Sequence, residues 1–264
     1  MEYMSVSQYK QFMKCEVAGL SQLTNPLPSN KSCLLQGNYF HSYCEGSEAF
    51  EKFKEENAKY IMMKSGKDKL SEYRLIDQII EELESKPVQY KRVLDIIRHP
   101  KNQKEQIFIA FVFGAWWKIK MDIYNPDNGY FSDLKLMKDL YSKYWNNETK
   151  KYENFIQHFS YDLQMNIYAE VERIATKRKN ILKPLIVCVT KQQPIDTAIF
   201  LGFEELDFCG KPVISEEVVK DVKSNTERII NIKKGDIEPV GCGYCEYCRE
   251  SKITQYIDYN KFEV

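Results

Sequence analysis

The stretch "AWWKIKMDIYNPDNGYFSDLKLM", residues 115–137, constrains the chain most. Its first half alternates in part. Ile119, Met121 and Ile123 take one side, and Lys118, Lys120, Asp122 and Tyr124 take the other. Period-two patterning of this kind belongs to a half-buried strand. "PDNG" then supplies turn residues. "YFSDLKLM" alternates again, with Phe131, Asp133, Lys135 and Met137 sharing one parity. The segment therefore predicts a β-hairpin on which Asp122 and Asp133 can face each other. Lys135, two residues past Asp133, points to the same face.

The rest of the chain is helical before the hairpin and mixed after it. "SVSQYKQFMKCEVAGL" has helical spacing, with Ser5 or Ser7 as N-cap. "TNPLPSNKS" reads as a loop, and "CLLQGNYFHSYCEG" starts a helix on which Gly37 and His41 share a face. From about Glu48 to Arg98 the chain is charged and mostly helical. It includes an amphipathic "RLIDQIIEELES", with Leu75, Ile79 and Leu83 in its stripe, and a helix "PVQYKRVLDIIRH" opened by Pro87. Past the hairpin, "NFIQHFSYDLQMNIYAEVERIATKR" predicts one long helix. "KPLIVCVTK" predicts a buried strand and "TAIFLGF" a strand nearer an edge. "SEEVVKDVKSNTERIINIKKG" predicts a helix ending at Gly235. This order predicts an α/β (α+β) fold with a central mixed β-sheet flanked by helices. It reads as a single domain over 1–264, with a mainly helical part at 1–100, a core at 107–235 and a cysteine-rich tail at 236–264.

Charge decides how such a chain could meet a polyanion. Lys+Arg and Asp+Glu both number 38, so there is no global basic field. Any nucleic-acid contact must use local positive charge. Lys118, Lys120, Lys138, Arg173, Lys177, Arg178 and Lys179 could line such a channel; the "KRK" run is equally well a solvated helix end. The longest apolar run, Ile107 to Trp117, is shorter than the ~20 residues that span a bilayer. The polar start carries no secretory pattern, so a cytoplasmic protein without a membrane partner is expected. In that compartment the eight cysteines would be thiols or metal ligands rather than disulfides.

Several groups could carry chemistry. Two close carboxylates repel, and a divalent cation removes that penalty; Mg²⁺ takes one or two carboxylates together with waters and phosphate oxygens. An ammonium at Lys135 could orient a water attacking phosphorus. The alternative for the same residues is a solvated Asp–Lys pair. Gln164 and Tyr168, at i and i+4, could set an amide and a phenol beside a nucleotide, or belong to an ordinary amphipathic helix. His41 is a ligand candidate or a hydrogen-bonded core residue. Cys242, Cys245 and Cys248 form C-x2-C-x2-C, a metal-binding spacing with Cys15 as candidate fourth ligand. Cys33, Cys44, Cys188 and Cys209 read as buried structural thiols.

Taken in order, Cys15, "GNYFH", Asp122, Asp133-Leu134-Lys135, Gln164-x-x-x-Tyr168 and "CGYCEYC" resemble the PD-(D/E)XK nuclease superfamily. The branch is the RecB- and RecE-like one, of the phage and prophage exonuclease VIII type. The resemblance runs from about Ser5 to Ser251. It implies that Asp122, Asp133 and the Leu134 carbonyl hold Mg²⁺ or Mn²⁺, with His41 at a second ion. It implies that Lys135 positions or activates the attacking water, and that Gln164 and Tyr168 contact the terminal nucleotide or its phosphate. It also implies 5′→3′ digestion of linear double-stranded DNA by a homo-oligomeric ring, partnered by a single-strand annealing protein in phage recombination within a bacterial cell. The four cysteines would hold a [4Fe–4S] cluster, with Zn²⁺ as the alternative. Met121 stands where the family's pattern has proline, ahead of an intact acid. Two other readings remain: a single-strand exonuclease of the four-cysteine CRISPR-associated type, and a catalytically silent DNA-binding or adaptor protein with the same fold.

Overall fold

The computed structural model describes residues 3–25, 32–147, 149–250, 252–254 and 256. Most of the "TNPLPSNKS" segment, expected to be a loop, lies outside them.

Ser5 is extended and accepts a hydrogen bond from the Gln8 N–H at 3.2 Å, which caps α1 (Val6–Lys14). At Cys15 the backbone becomes extended (φ −168°, ψ 113°), and the chain restarts as α2 (Glu16–Thr24). Five helices follow: α3 (Ser32–Glu45), α4 (Ser47–Glu56), α5 (Ala58–Ile61), α6 (Ser71–Ser85) and α7 (Lys91–Ile97). α6 buries Tyr73, Ile76, Ile79 and Leu83. Leu75, expected in that stripe, is only partly buried. A strict spacing of four drifts around a 3.6-residue helix, so the buried line runs through Ile76 instead.

Two hairpins come next. β1 (Gln103–Val112) turns at Phe113 and Gly114, both at positive φ, into β2 (Ala115–Asn125). β1 absorbs most of an apolar run to which no strand is assigned above. β2 alternates as expected: Trp117, Ile119, Met121 and Ile123 are buried, and Trp116, Lys118 and Lys120 are exposed. "PDN" forms a 3-10 turn closed by Gly129, whose φ of 76° an L side chain adopts only with strain, and β3 (Tyr130–Met137) follows.

The helix expected as one piece after the hairpins is two. A ribbon of β4 (Tyr144–Asn146) and β5 (Lys151–Glu153) leads to α8 (Phe155–His158), which an Asn154–Gln157 capping box starts. Ser160 is left-handed (φ 49°, ψ 47°), and α9 (Tyr161–Thr176) begins after it. The Phe159 carbonyl freed by this break accepts a hydrogen bond from Lys10 Nζ at 2.9 Å. β6 (Lys183–Thr190), β7 (Thr197–Phe200), a small β8 (Glu205–Leu206) and β9 (Pro212–Val213) pair, α10 (Glu216–Lys234) and α11 (Glu246–Glu250) complete the described elements. α10 ends at a left-handed Gly235, as expected.

The main sheet has five strands in the order β1-β2-β3-β6-β7. β3 and β6 are parallel, and the other pairs are antiparallel. One core joins α1, α9 and α10 to the sheet through Tyr9, Trp117, Met165, Ile186 and Ile229. The other joins α3, α6 and α7 to it through Tyr39, Ile76, Ile97 and Val187. The mixed, helix-flanked sheet of the sequence reading is thus what forms.

The pairing of β2 with β3 is short. Only Ile123↔Ser132, Tyr124↔Phe131 and Asn125↔Tyr130 are in register, while β3 pairs with β6 along its whole length. β1 also kinks here. Its ladder with β2 skips Glu105 (φ 52°), the position opposite Asp122 in that register.

Three of the seven basic residues expected along a channel are engaged in ion pairs. Glu172, fully buried, receives Arg178 Nε at 2.9 Å and the Tyr124 hydroxyl at 2.7 Å. Arg173 grips Glu170 with two bonds of 2.7 Å, and Lys120 pairs with Glu105. Lys118, Lys138, Lys177 and Lys179 are exposed. Removing Arg178 strands the Glu172 charge in the core. Arg178→Met should therefore destabilise the protein by about 3 kcal/mol in urea unfolding. An unchanged midpoint would mean that the arginine is not structural.

Candidate active site

The site begins where β2 and β3 part. Past Ser132, the N–H and C=O of Leu134 have no β2 partner. Its N–H donates to Asp122 Oδ2 at 2.7 Å, and its carbonyl meets His41 Nε2 at 2.9 Å. His41 reaches in from α3, and its Nδ1 lies 3.5 Å from Asp122 Oδ1. The N–H and C=O of one residue, one carboxylate and one imidazole are thus gathered by a break in the sheet.

Asp133 forms a second group. Its Oδ1 accepts from Gln164 Nε2 at 2.7 Å, and its Oδ2 pairs with Lys135. Gln164 comes from the first turn of α9, and its Oε1 accepts from Lys10 Nζ at 2.8 Å. Lys135 and Lys10 both stand over the Tyr161 ring, 4.7 and 5.0 Å from its centroid. Asp133 is therefore turned toward lysine and amide, not toward the Asp122–His41 group.

Charge follows burial and neighbours. Burial would raise the Asp122 carboxyl, but His41, Lys135 and the Leu134 N–H hold it below its usual value. Burial lifts Asp133 above its usual value; Lys135 draws it back, and the Asp122 charge adds to the rise. Lys135 is the reverse case: burial lowers it, and Asp133, Tyr161 and Asp122 more than offset that, so the ammonium stays charged. His41 is raised because Asp122 outweighs its burial. Burial, then the Lys135 charge, push Lys10 down to about 7. Tyr168 is raised by burial and by the charges of Asp133 and Asp122, which keeps its phenol protonated within electrostatic reach of both acids.

The residues expected at the site from sequence are therefore brought together, in two adjoining groups. Lys10 is the member that sequence reasoning missed. It is a half-buried lysine on an amphipathic helix, and nothing in its local pattern separates it from a surface lysine. Two carboxylates, an imidazole and a carbonyl are a hard, oxygen-rich donor set suited to a divalent cation of the Mg²⁺ or Mn²⁺ type.

A second centre lies at the break between α1 and α2. The Sγ atoms of Cys15, Cys242, Cys245 and Cys248 all lie within 4.8 Å of one another, the only such group of potential ligands among the described residues. The Cys245 N–H donates to Cys242 Sγ at 3.3 Å, and the Cys248 N–H donates to Cys245 Sγ at 3.5 Å. Burial raises the Cys242 thiol, but the N–H groups of Tyr244 and Cys245 bring it down to about 7. Glu16, next to Cys15, holds Arg228 of α10 at 2.5 and 2.9 Å and accepts the Val240 N–H at 2.7 Å, which docks the tail. Of the cysteines expected to be buried and structural, Cys44 and Cys188 are, but Cys33 and Cys209 are exposed. A lone cysteine carries no periodicity that records which way it points.

Similarity to known proteins bears on the fold. The family model "PDDEXK-like domain of unknown function (DUF3799)" matches residues 5–251. The crystal structure of a candidate exonuclease from Eubacterium rectale aligns at a TM-score of 0.73 and 29% identity, covering 98% of this chain and 91% of that one. The solved structure of SSO0001 aligns at a TM-score of 0.31 and 15% identity, covering 93% and 92%. No curated protein matches the sequence.

A ligand bound by the native state alone stabilises it. Mn²⁺ at a hundred times its Kd should add about 2.7 kcal/mol of stability, read as a rise in Tm. Asp122→Asn should abolish that rise. A full rise in the variant would put the ion elsewhere.

Proposed function

This chain belongs to the PDDEXK-like family DUF3799, and we propose that it is a Mg²⁺- or Mn²⁺-dependent deoxyribonuclease, a 5′→3′ exonuclease on the ends of linear double-stranded DNA. One observation carries the reading: Asp122, the Leu134 peptide, Asp133 and Lys135 meet where β2 and β3 separate, with Gln164 bonded to Asp133. A bound divalent cation would polarise the scissile phosphate and lower the pKa of the attacking water.

The chain's own groups divide the remaining tasks. Lys135, kept charged by Asp133, orients the water and stabilises charge building on the phosphoryl oxygens. Gln164, held by Lys10, fixes the rotamer of Asp133. Tyr168 offers a protonated phenol to the terminal nucleotide or its phosphate. Asp122 and His41 stand 3.5 Å apart as an ion pair, and with His41 deprotonated they and the Leu134 carbonyl would complete the ligand set. With zero net charge, attraction alone holds DNA weakly, so a homo-oligomeric ring is the physical means of staying on the strand. The single nuclease domain would act in the cytoplasm of a bacterial host, with a single-strand annealing protein in phage-type recombination.

The cysteine centre favours a second reading, a single-strand exonuclease of the four-cysteine CRISPR-associated type. Sulfur atoms at the corners of a zinc tetrathiolate lie about 3.8 Å apart, given Zn–S bonds of about 2.3 Å. The observed spread of up to 4.8 Å therefore suits one ion, and a [4Fe–4S] cluster requires the four thiols to move apart.

Two measurements test these readings. On end-labelled blunt, 5′-overhang and single-stranded DNA with Mg²⁺, the wild type should release nucleotides from a 5′ end. Lys135→Met should lose about 10²–10⁴-fold in rate, and Asp133→Ala should be inactive. Equal activity of Asp133→Ala and wild type would sink the proposed site, and degradation of the single strand alone would select the second reading. The purified protein should be colourless and carry one equivalent of zinc that Cys248→Ser loses; broad visible absorption after anaerobic purification would replace that ion with the cluster.

A further inference from the structure

A cavity of about 590 Å³ opens beside the catalytic cluster. It lies within the ~300–1,000 Å³ typical of small-ligand sites. α1, the β4–β5 ribbon, the α8–α9 junction, α10 and the cysteine loop wall it. Lys10 and Lys14 stand on the α1 wall, and Glu153 and Asp221 stand among the others. Trp145 and Tyr244 provide aromatic surface.

Lys10 belongs to the cavity and to the catalytic network at once. Its Nζ donates to Gln164 Oε1 at 2.8 Å, and Gln164 Nε2 donates to Asp133 Oδ1 at 2.7 Å. The cavity thus starts two hydrogen bonds from the Asp133 carboxylate, and its occupant must adjoin whatever Asp133 acts on. The ribbon is anchored by Tyr144, whose ring stacks on His158 at 4.7 Å and 17°. That anchoring leaves Trp145, on the next residue, 46% exposed at the cavity wall.

The charges limit what fits. Glu153 accepts from Asn146 at 2.6 Å and faces His158 at 3.6 Å, so it is partly compensated. Lys10 and Lys14 stand against Glu153 and Asp221, and burial leaves Lys10 only partly charged, so the walls carry no net positive charge and exclude a polyphosphate. A protein of zero net charge must also find affinity for a strand outside the Coulomb field, and base–aromatic stacking is the available source.

We propose that this cavity receives one unpaired nucleotide of the DNA strand being cut, its base stacked on Trp145. The inference rests on the nuclease reading above and adds to it a way of selecting a frayed or single-stranded end. The cysteine loop, which contributes Tyr244 and Cys245 to the wall, then shapes the strand site as well as closing the fold.

The test is equilibrium binding of a fluorescently labelled single strand in EDTA, where no cleavage occurs, beside the cleavage assay with Mg²⁺. Trp145→Ala should weaken binding about tenfold, and Trp145→Phe should restore most of the loss. Trp145 is half-exposed, so both variants should keep the wild-type Tm. A single abasic residue moved along the strand should cost the wild type a similar factor at one position and cost Trp145→Ala nothing further there. If the wild type cuts DNA and Asp133→Ala does not, yet Trp145→Ala binds normally and no abasic position matters, the cavity proposal is wrong and the nuclease reading stands. If Asp133→Ala cuts as well as wild type the proposed active site fails, and if neither cuts DNA the nuclease reading fails; the cavity proposal falls with either.

Discussion

The parting of β2 from β3 after Ser132 is the event on which the rest of the structure depends. A backbone N–H and C=O inside a protein must find partners. At Leu134 the sheet does not provide them on the β2 side, so Asp122 and His41 do. That single residue ties α3 to the sheet and holds a carboxylate beside an imidazole. β3 keeps its whole length against β6, so the strand carrying Asp133 and Lys135 stays rigid where it has left β2.

Buried charge is what this arrangement must then manage. Asp122 and Asp133 sit close together in the protein, and Lys135 and a His41 of raised pKa oppose them. Gln164 and Lys10 extend the balance to α9 and α1, across an ammonium–aromatic contact at Tyr161. The outcome is a catalytic cluster whose members come from five separate elements, held by the two cores that pack on the sheet. At the other end of α1, the break at Cys15 turns a thiol toward the tail, and the Glu16–Arg228 pair keeps the tail in reach.

Much of this was legible in the sequence, for identifiable reasons. The alternation from Trp117 to Ile123 and the Gly129 turn state β2 and β3 directly, because strand faces are local, period-two properties. Gly235 marks the end of α10 because only a residue tolerant of positive φ closes a helix that way. Leu75 misled because a spacing of four is only close to the helical period. The break at Ser160 was hidden because the pattern from Asn154 to Arg178 stays helical throughout. The chain breaks at a left-handed Ser160, and the carbonyl freed there is taken by Lys10, which is distant in sequence. Arg173 and Arg178 read as basic surface because a run of charges does not say whether acids one turn away neutralise it.

By itself, the sequence determined the helix-flanked sheet, the hairpin with its acids and lysine, and the amide and phenol on one face of α9. Each of these is written in a local period or a turn residue. The order of those motifs also pointed to the nuclease superfamily. Only the tertiary structure decided that Asp133 turns toward Gln164 and Lys135 rather than toward Asp122, and that Lys10 completes the network. It also decided that Cys15 stands 3.5 Å from Cys248. Lys10 and Gln164 are 154 residues apart, and Cys15 and Cys248 are 233 apart. Contacts of that separation follow from how the two cores pack on the sheet, which no local pattern encodes.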